Sequence, residues 1–339
     1  MTRTSPQWDG IEFVCPRCRG AVTARVSSYS CAPCAADYPI VSGIPDFRTA
    51  PDPWISMEDD REKGLRLERE TVGQGFEAMV RAYWAMTPGT PTAFAERFIG
   101  HVRGAESRAR EWLRLIGGSP RDGTGTGPML DLGCGTAELA AAAGSDARVV
   151  GIDIAFRWLV VGRRRLTERG IVPLLVCCNA EALPFRDATF AQARSLGMLE
   201  HCRDAEIVMR DCRRVLSAGG ALFLRTSNRF TLLREPHVDV WGVGWLPRRW
   251  ADAYVRWRNG ERYLNHWPKG AGEIRRAMRR AGFIDVRVSA APMLAADMDK
   301  MQGPLRRVLP LYEWVRSRPG AGAVLGAVTP LLEVSGRTR

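Results

Sequence analysis

The stretch Leu130-Asp-Leu-Gly-Cys-Gly-Thr-Ala-Glu-Leu-Ala140 joins a short apolar run to an alanine-rich segment of helical character. Gly133 and Gly135 fall where the apolar run turns into the helix, and glycine there lets the backbone approach a ligand that a side chain would exclude. A dinucleotide fingerprint needs the spacing GxGxxG, whereas Thr136-Ala-Glu138 follows here and Asp131 precedes the glycines. The stretch therefore predicts a ligand-binding turn between a strand and a helix.

From Met129 onward, short apolar β-rich runs alternate with helical segments, which is typical of βαβ units and a parallel sheet. We predict strands at Met129–Leu132, Arg148–Ile152, Val172–Cys177, Ala191–Leu196, Ala221–Arg225, Phe283–Val288 and Leu331–Val334. We predict helices around Ala137–Ala143, Phe156–Arg169, Ala205–Leu216 and Glu273–Ala281. The predicted fold class is α/β, a Rossmann-like seven-stranded doubly wound sheet with its ligand crevice at the carboxyl ends of the strands.

The chain divides into three predicted regions. Residues 1–50 form a small cysteine-bearing module, and residues 51–120 form a linker followed by two or three helices that cap the main domain. Residues 121–339 form the main domain, which is entered through a glycine- and threonine-rich loop between Gly117 and Pro128. A segment at about 227–270 interrupts the strand and helix alternation and is predicted to be an inserted substrate lid.

The composition indicates a globular protein, because 45% of the 339 residues are hydrophobic and no run of about 18 uncharged apolar residues occurs. The start, MTRTSPQWDG, lacks the layout of a secretory signal, and nine cysteines without that signal favour a reducing compartment, so we expect a cytoplasmic location. The net charge of +12 is concentrated in residues 225–339, which carry 21 basic and 10 acidic side chains.

Three further motifs follow the glycine turn in a fixed order. Asp153 lies twenty residues beyond Gly133 at the end of the second predicted strand, where an acid can accept both hydroxyls of a ribose. The segments Asn179-Ala-Glu-Ala-Leu-Pro-Phe-Arg-Asp187 and Ser195-Leu-Gly-Met-Leu-Glu-His201 come next. Together the motifs resemble the class I S-adenosylmethionine-dependent methyltransferases of the UbiE/UbiG-like, methyltransferase type 11 group, over about residues 128–226.

The resemblance implies a cofactor, S-adenosylmethionine, and a set of residues that bind it. The implied roles are the methionine and ribose portion for Asp131, Gly133 and Gly135, the ribose for Asp153, the adenine for Asn179 and Ala180, and a place beside the cofactor for Leu196.

The sequence departs from the pattern of this group at three positions. Ala137 stands in place of a third glycine, and Asn179 stands in place of an aspartate. An amide can both accept from an adenine amino group and donate elsewhere, so the adenine contact is expected to survive. Gly197 stands where metal-assisted relatives carry an acid before Glu-His, so we do not expect a catalytic magnesium ion.

Two CxxC pairs near the start of the chain have the spacing of a metal site. Cys15 and Cys18 are separated from Cys31 and Cys34 by twelve residues, so two tight turns can bring four thiolates round one tetrahedral ion. We predict structural zinc, because four thiolates leave no open coordination position and a module this small needs a metal in place of a core. Iron and incidental cysteines are the alternatives.

The run Asp37-Tyr-Pro-Ile-Val-Ser-Gly-Ile-Pro-Asp46 follows the second pair and resembles the end of the small Trm112-like zinc module. The resemblance covers about residues 11–48 and implies a module that supports an adjoining methyltransferase. Residues 1–54 have no net charge, which speaks against a phosphate-binding surface and favours docking or stabilisation.

Four histidines are the candidates for a general base in methyl transfer. We favour His237, because it lies in the loop after the fifth predicted strand and is flanked by Glu235 and Asp239, either of which can orient its ring. His201 is the second candidate, at the active edge beyond strand four. His101 is interpreted as structural and the role of His266 is left open, as is positioning of the substrate without a base.

The segment 235–250 is rich in Trp and Arg, and three interpretations stay open: an apolar cap, a substrate lid, and an RNA or membrane face. The lid would bind a hydrophobic, glycosylated or phosphate-bearing small molecule. The predicted function is O-methylation of a small molecule in secondary metabolite (natural product) biosynthesis. The alternatives are an RNA base methyltransferase and a non-catalytic methyltransferase-like scaffold.

Overall fold

The computed structural model describes residues 8, 10–117, 127–298, 304–318 and 320–339. The glycine- and threonine-rich loop expected between Gly117 and Pro128 therefore lies for the most part outside the described residues. The chain forms two compact units: unit 1 comprises Met1–Ala193 with Arg214–Ser217, and unit 2 comprises Arg194–Arg213 with Ala218–Arg339.

The described strands and helices occupy both units. The strands are β1 (Thr23–Ala24), β2 (Ser28–Cys31), β3 (Ala36–Val41), β4 (Ile44–Pro45), β5 (Met129–Leu132), β6 (Val149–Asp153), β7 (Leu174–Cys177), β8 (Phe190–Leu196), β9 (Leu216–Ser227), β10 (Arg234–Glu235), β11 (Val240–Trp241), β12 (Ile284–Ala290) and β13 (Leu331–Arg337). The helices are α1 (Met57–Glu70), α2 (Phe76–Ala85), α3 (Thr92–Arg103), α4 (Ala105–Leu115), α5 (Glu138–Ala143), α6 (Phe156–Glu168), α7 (Ala205–Val215), α8 (Arg248–Asn259), α9 (Ala271–Arg280), α10 (Ala295–Met298), α11 (Pro304–Arg316) and α12 (Ala321–Leu325).

Within the described residues, seven strands form the main sheet in the order β12-β13-β9-β8-β5-β6-β7. This confirms the predicted seven-stranded α/β fold. β5, β6 and β7 are parallel, so Asp131 pairs with Gly151 and Asp153 with Cys177. The sheet is mixed, because β13 runs antiparallel to β12 and β9, a reversal that the sequence analysis did not predict. An apolar run has the same appearance in either direction, so the pattern could not reveal the reversal.

The N-terminal module of unit 1 is a four-stranded sheet in the order β1-β2-β3-β4. Its interior is a cluster of buried aromatic rings, in which Phe13 lies 5.1 Å from both Tyr29 and Phe47 and 5.7 Å from Phe185, measured between ring centroids. Phe13 also forms a β-bridge with Phe185. Because Phe185 belongs to the segment after β7, the module shares a continuous apolar core with the main sheet of unit 1.

Four helices, α1 to α4, occupy the region in which we predicted two or three. The helix with the weakest apolar pattern is α1, because its sequence MEDDREKGLRLERE is mostly charged and only a narrow face is buried. That face includes Leu67, which is fully buried, and Gly64, where a Cβ atom would lie 2.7 Å from the ring of Phe156. The apolar stripe was too thin for its period to be recognised.

The inserted segment of unit 2 contains the β10–β11 hairpin and the helix α8, which the sequence pattern did not predict. Its small core contains Val238, Val240, Val243, Ala251 and Val255. Four tryptophans of the segment are exposed, at positions 241, 245, 250 and 257, whereas Trp267 is half-buried. The exposure of these four side chains favours the other interpretations of the segment over an apolar cap. No helix in the described ranges is both long enough and apolar enough to cross a bilayer.

Candidate active site

The turn after β5 has the backbone that its glycines predict. Gly133 and Gly135 have φ values of 67° and 48°, in the left-handed region that favours glycine. A Cβ atom at Gly135 would meet no heavy atom within 4 Å, so this side of the backbone is open to a ligand. Ala137 has a φ of 58° and precedes α5 directly, so the position of the missing third glycine does carry the strain expected of a non-glycine residue. Asp131 is buried at the end of β5.

Asp153 ends β6 and links the glycine turn to the next helix. Its Oδ2 accepts a hydrogen bond of 2.9 Å from the amide of Gly135, and its Oδ1 accepts one of 2.8 Å from the amide of Ala155. Burial raises the pKa of Asp153 to about 6, although the two amide donors act in the opposite direction. Each carboxylate oxygen keeps a lone pair for a further donor, which fits the two hydroxyls of a ribose.

Asn179 follows β7, and its side chain holds the segment that leaves the N-terminal module. The Oδ1 atom accepts from the amide of Thr49 at 2.9 Å and from the amide of Ala50 at 3.3 Å, and Nδ2 donates to the carbonyl of Ala50 at 3.3 Å. Ala180 beside it is buried. In this structure the amide expected to face adenine holds the backbone of Thr49 and Ala50. This contact explains an amide where an aspartate is usual, because an amide both accepts and donates whereas an ionised carboxylate only accepts.

A buried ion-pair network borders Asp153, and sequence reasoning missed it. Asp60 on α1 accepts from Arg48 at 2.6 Å and from Arg157 at 2.7 Å, and all of these side chains are nearly or completely inaccessible. Asp60 also accepts from the amides of Phe156 and Arg157, at 2.8 and 3.3 Å, and so caps the N-terminus of α6. Arg48 donates to the carbonyl of Ile154 at 3.2 Å. The network fixes the chain directly after Asp153, at Ile154, Phe156 and Arg157.

Two more carboxylates complete this network. Arg48 pairs with Asp46 at 2.6 Å, and Arg157 pairs with Asp52 at 2.8 Å. Burial opposes ionisation of Asp46, but the hydrogen bonds from Arg48 and Arg61 outweigh it and lower the pKa of the carboxyl. Arg157 and its partners Asp52 and Asp60 are about a hundred residues apart in the chain, so no local sequence spacing predicts these ion pairs.

In unit 2, the predicted Glu-His pair after β8 lies in a short 3-10 turn, Leu199–His201. The Glu200 carboxylate is buried and accepts from the hydroxyls of Thr226 at 2.7 Å and Ser227 at 3.0 Å. Lys269, which is buried, donates to the carbonyl of Leu199 at 3.3 Å and to that of Cys202. Burial lowers the pKa of Lys269 to about 8. Leu196 ends β8 just before this turn, as predicted.

Three of the four histidines meet in unit 2. One ring nitrogen of each of His201, His237 and His266 lies within 4.8 Å of the others. The Nδ1 atom of His237 lies 2.6 Å from Oε1 of Glu235, which also accepts from the His237 amide through Oε2 at 2.8 Å. Asp239, the other acid considered for orienting His237, pairs instead with Arg234 at 3.1 Å. The sequence offered no signal that would join His266 to the other two.

The electrostatics of the three rings differ. Burial acts to lower the pKa of His237, but the Glu235 carboxylate outweighs it and the pKa is raised. Burial, reinforced by the two neighbouring rings, lowers the pKa of His266 to about 3. The fourth histidine, His101, is exposed on α3 in unit 1.

The four predicted cysteines come together in unit 1. Their sulfur atoms all lie within 4.8 Å of one another, with Cys15 and Cys34 3.8 Å apart and Cys18 and Cys31 3.6 Å apart. Four sulfurs at about 2.3 Å from a tetrahedral ion are about 3.8 Å apart, so the cluster has the dimensions of a thiolate zinc site. The other five cysteines, at positions 134, 177, 178, 202 and 212, are buried and form no disulfide.

Comparison with known proteins concerns the family to which the chain belongs. The profile of a methyltransferase domain family matches residues 130–224. The ubiquinone/menaquinone biosynthesis C-methyltransferase UbiE of Xylella fastidiosa is 33% identical over 192 residues, which are 51% of this chain and 72% of that relative. The ubiquinone biosynthesis O-methyltransferase of Idiomarina loihiensis is 33% identical over 128 residues, 35% of this chain and 51% of that relative.

Among solved structures, the fold is similar to that of an S-adenosylmethionine-dependent methyltransferase of Thermotoga maritima, described as a possible histamine N-methyltransferase. The identity is 19%, the match covers 78% of this chain and 98% of the other, and the TM-score is 0.46. The family profile covers the glycine turn and Asp153. The chain belongs to the class I S-adenosylmethionine-dependent methyltransferases.

Proposed function

We propose that this methyltransferase acts on a hydroxyl group of a small molecule, in the biosynthesis of a natural product. The observation that carries the choice of oxygen is the Glu235–His237 pair, because a hydroxyl acceptor must lose a proton and an oriented imidazole can take it. Similarity does not decide the acceptor atom, since the relatives include both a C-methyltransferase and an O-methyltransferase.

The open backbone of the glycine turn and the lone pairs of Asp153 support binding of the cofactor. S-adenosylmethionine supplies the methyl group as an electrophilic substituent of a sulfonium. We assign the methionine and ribose portion to Asp131, Gly133 and Gly135, and the ribose hydroxyls to the carboxylate of Asp153. Asn179 and Ala180 remain the proposed neighbours of the adenine, and Asn179 acts through the segment at Thr49 that its side chain holds. Leu196, at the end of β8, is also proposed to lie beside the cofactor.

Within unit 2, His237 is the proposed proton acceptor. With Nδ1 directed at Glu235, its Nε2 lone pair is free to take the hydroxyl proton of the acceptor as the carbon–oxygen bond forms and the carbon–sulfur bond breaks. The Glu235 carboxylate keeps the tautomer and stabilises the resulting imidazolium, in the manner of the acid in a catalytic triad. His201, whose ring centroid lies 5.2 Å from that of His237, is the alternative base.

The exposed tryptophans and arginines of the inserted segment support a substrate lid. Trp250 and Trp257 lie on α8, each with an arginine guanidinium within 6 Å of its ring centroid. Exposed aromatic faces bind apolar or sugar surfaces, and arginines bind phosphate or carboxylate. The proposed substrate is therefore hydrophobic, glycosylated or phosphate-bearing.

The four-cysteine cluster is proposed to hold one structural zinc ion, which leaves no position open for chemistry. Its proposed role is to hold the module against the main sheet, through the contact between Phe13 and Phe185. A cytoplasmic location fits a cluster that needs reduced thiols.

An RNA substrate is the second candidate, favoured by the excess of basic residues in 225–339 together with exposed tryptophans in the same part of the chain. Salt separates the two candidates. Transfer to RNA should weaken steeply between low and moderate salt, whereas transfer to a small uncharged molecule should hardly change.

The test of the proposal is transfer of a labelled methyl group to small molecules of a cell extract, with identification of the product by mass. We expect His237→Ala to lower the transfer rate by about 10² or more while affinity for S-adenosylmethionine is retained. The matched control is His101→Ala, which removes an exposed histidine of unit 1. A loss below about threefold for His237→Ala at every pH would show that His237 is not the base.

A further inference from the structure

We infer that His201, His237 and His266 form a binding site for one divalent transition-metal ion. The three residues come from three separate segments of unit 2: the turn after β8, the loop between β10 and β11, and the loop between α8 and α9. Within the described ranges, they and the four cysteines are the groups of histidine, cysteine and acidic residues close enough to hold a metal.

The dimensions of the cluster suit a single ion. Three nitrogens bound at about 2.1 Å to a tetrahedral ion lie about 3.4 Å apart. The ligand nitrogens of the cluster lie within 4.8 Å of one another, so side-chain rotation closes the remaining gap. His201 is exposed, which leaves its ring room to rotate and an ion a path to enter, whereas His237 and His266 are half-buried.

Two features of the surroundings hold the ligands in place. The carboxylate of Glu235 directs Nδ1 of His237 and leaves Nε2 for the ion, which is the carboxylate–histidine–metal arrangement typical of protein metal sites. The carbonyl of Glu200 accepts from the amide of Trp267 at 2.6 Å, so the residues next to His201 and His266 are joined directly. Among the described residues, the group close enough to share one ion consists of the three histidines and includes no carboxylate, so the site is an all-histidine one.

An all-imidazole ligand set selects the kind of ion. Imidazole suits zinc, cobalt, nickel, copper and iron, whereas magnesium prefers oxygen ligands. Three imidazole ligands therefore favour a transition-metal ion over magnesium. Three protein ligands leave one coordination position open, as in catalytic sites and unlike the four-cysteine cluster. The open position suits the hydroxyl of an acceptor, whose proton a bound cation makes easier to lose.

The catalytic part of this inference rests on the proposed function, but the binding of the ion does not. The Nε2 lone pair of His237 can hold either a proton or an ion. With an ion bound, the acceptor hydroxyl would release its proton to solvent, and the resulting alkoxide would attack the methyl group as the carbon–sulfur bond breaks.

Binding of Co²⁺ alone, measured on the full chain after its cysteines are saturated with zinc, tests the site without reference to activity. We expect one further equivalent of Co²⁺ to bind, with visible d–d bands and without the near-ultraviolet charge-transfer band of thiolate ligation. His201→Ala removes an exposed ligand and so leaves the fold intact. Glu235→Gln removes an outer-shell partner and should weaken Co²⁺ binding by roughly 10- to 100-fold. His201→Ala removes a ligand itself, so its loss of Co²⁺ affinity should be at least as large.

His101→Ala is the matched control, and Co²⁺ affinity should be unchanged in this variant. The inference would be overturned if the zinc-saturated chain bound no further equivalent of Co²⁺. It would also be overturned if the native chain, His201→Ala and His266→Ala bound Co²⁺ with equal affinity. Failure of the proposed function would look different, because no methyl transfer would then occur with or without Co²⁺ while the Co²⁺ titration stayed the same.

Discussion

The sharpest test of the cofactor site replaces Asp153 with asparagine. The carboxylate accepts from the amides of Gly135 and Ala155 and presents its remaining lone pairs to the proposed ribose hydroxyls. An amide has a single acceptor oxygen, so in the variant Nδ2 must face either an amide donor or a hydroxyl. We therefore expect both the glycine turn and the ribose contact to lose hydrogen bonds.

The expected size follows from the charge of the group. Hydrogen bonds to a charged partner contribute about 1.5 to 3 kcal/mol, so Asp153→Asn should weaken binding of S-adenosylmethionine by about 10- to 150-fold. The native affinity should also depend on pH, because burial raises the pKa of Asp153 to about 6. Hydroxyl donors favour the ionised form, so affinity is full above pH 6. It falls by up to about tenfold for each pH unit below that value, equal to about 1.4 kcal/mol.

Calorimetric titrations with S-adenosylmethionine, made at about every pH unit between pH 5 and 8, measure both the loss of affinity in Asp153→Asn and the pH dependence of the native affinity. The native chain should bind more weakly at low pH and take part in proton exchange with the buffer, whereas Asp153→Asn should show weak binding that varies little with pH. Asp146→Asn, a change in the exposed turn before β6, is the matched control and should behave as the native chain. Equal affinity of Asp153→Asn and the native chain at pH 8 would refute the ribose assignment.

Two further predictions concern stability. Asp60→Ala leaves Arg48 and Arg157 with one carboxylate each and uncaps α6, so the free energy of unfolding in urea should fall by about 3 to 5 kcal/mol. The exposed Glu58→Ala is the control and should lose less than about 1 kcal/mol. Equal losses in the two variants would contradict the buried network. Elemental analysis should find one zinc per chain, and Cys18→Ser should lose it together with part of the stability of the N-terminal module; a native chain with well under one equivalent would contradict the structural zinc.

Part of this protein was predictable from the sequence because its signals are local. The alternation of apolar runs with helical segments predicted the seven strands, and the position of Asp153 after the second of them predicted its place at a strand end. The spacing of the cysteine pairs predicted their cluster, since two tight turns allow few other arrangements. In each case the information lies within about twenty residues, where backbone geometry alone determines which side chains meet.

The tertiary structure alone decided what depends on distant segments. Asp60 and Arg157 meet only because α1 packs on α6, and His266 joins His201 and His237 only because the inserted segment folds through its own valine core. The antiparallel direction of β13 likewise leaves no trace in an apolar run. Such contacts are selected by the packing of whole elements, and a single charged or aromatic residue has the same local sequence pattern whether it meets a partner a hundred residues away or solvent.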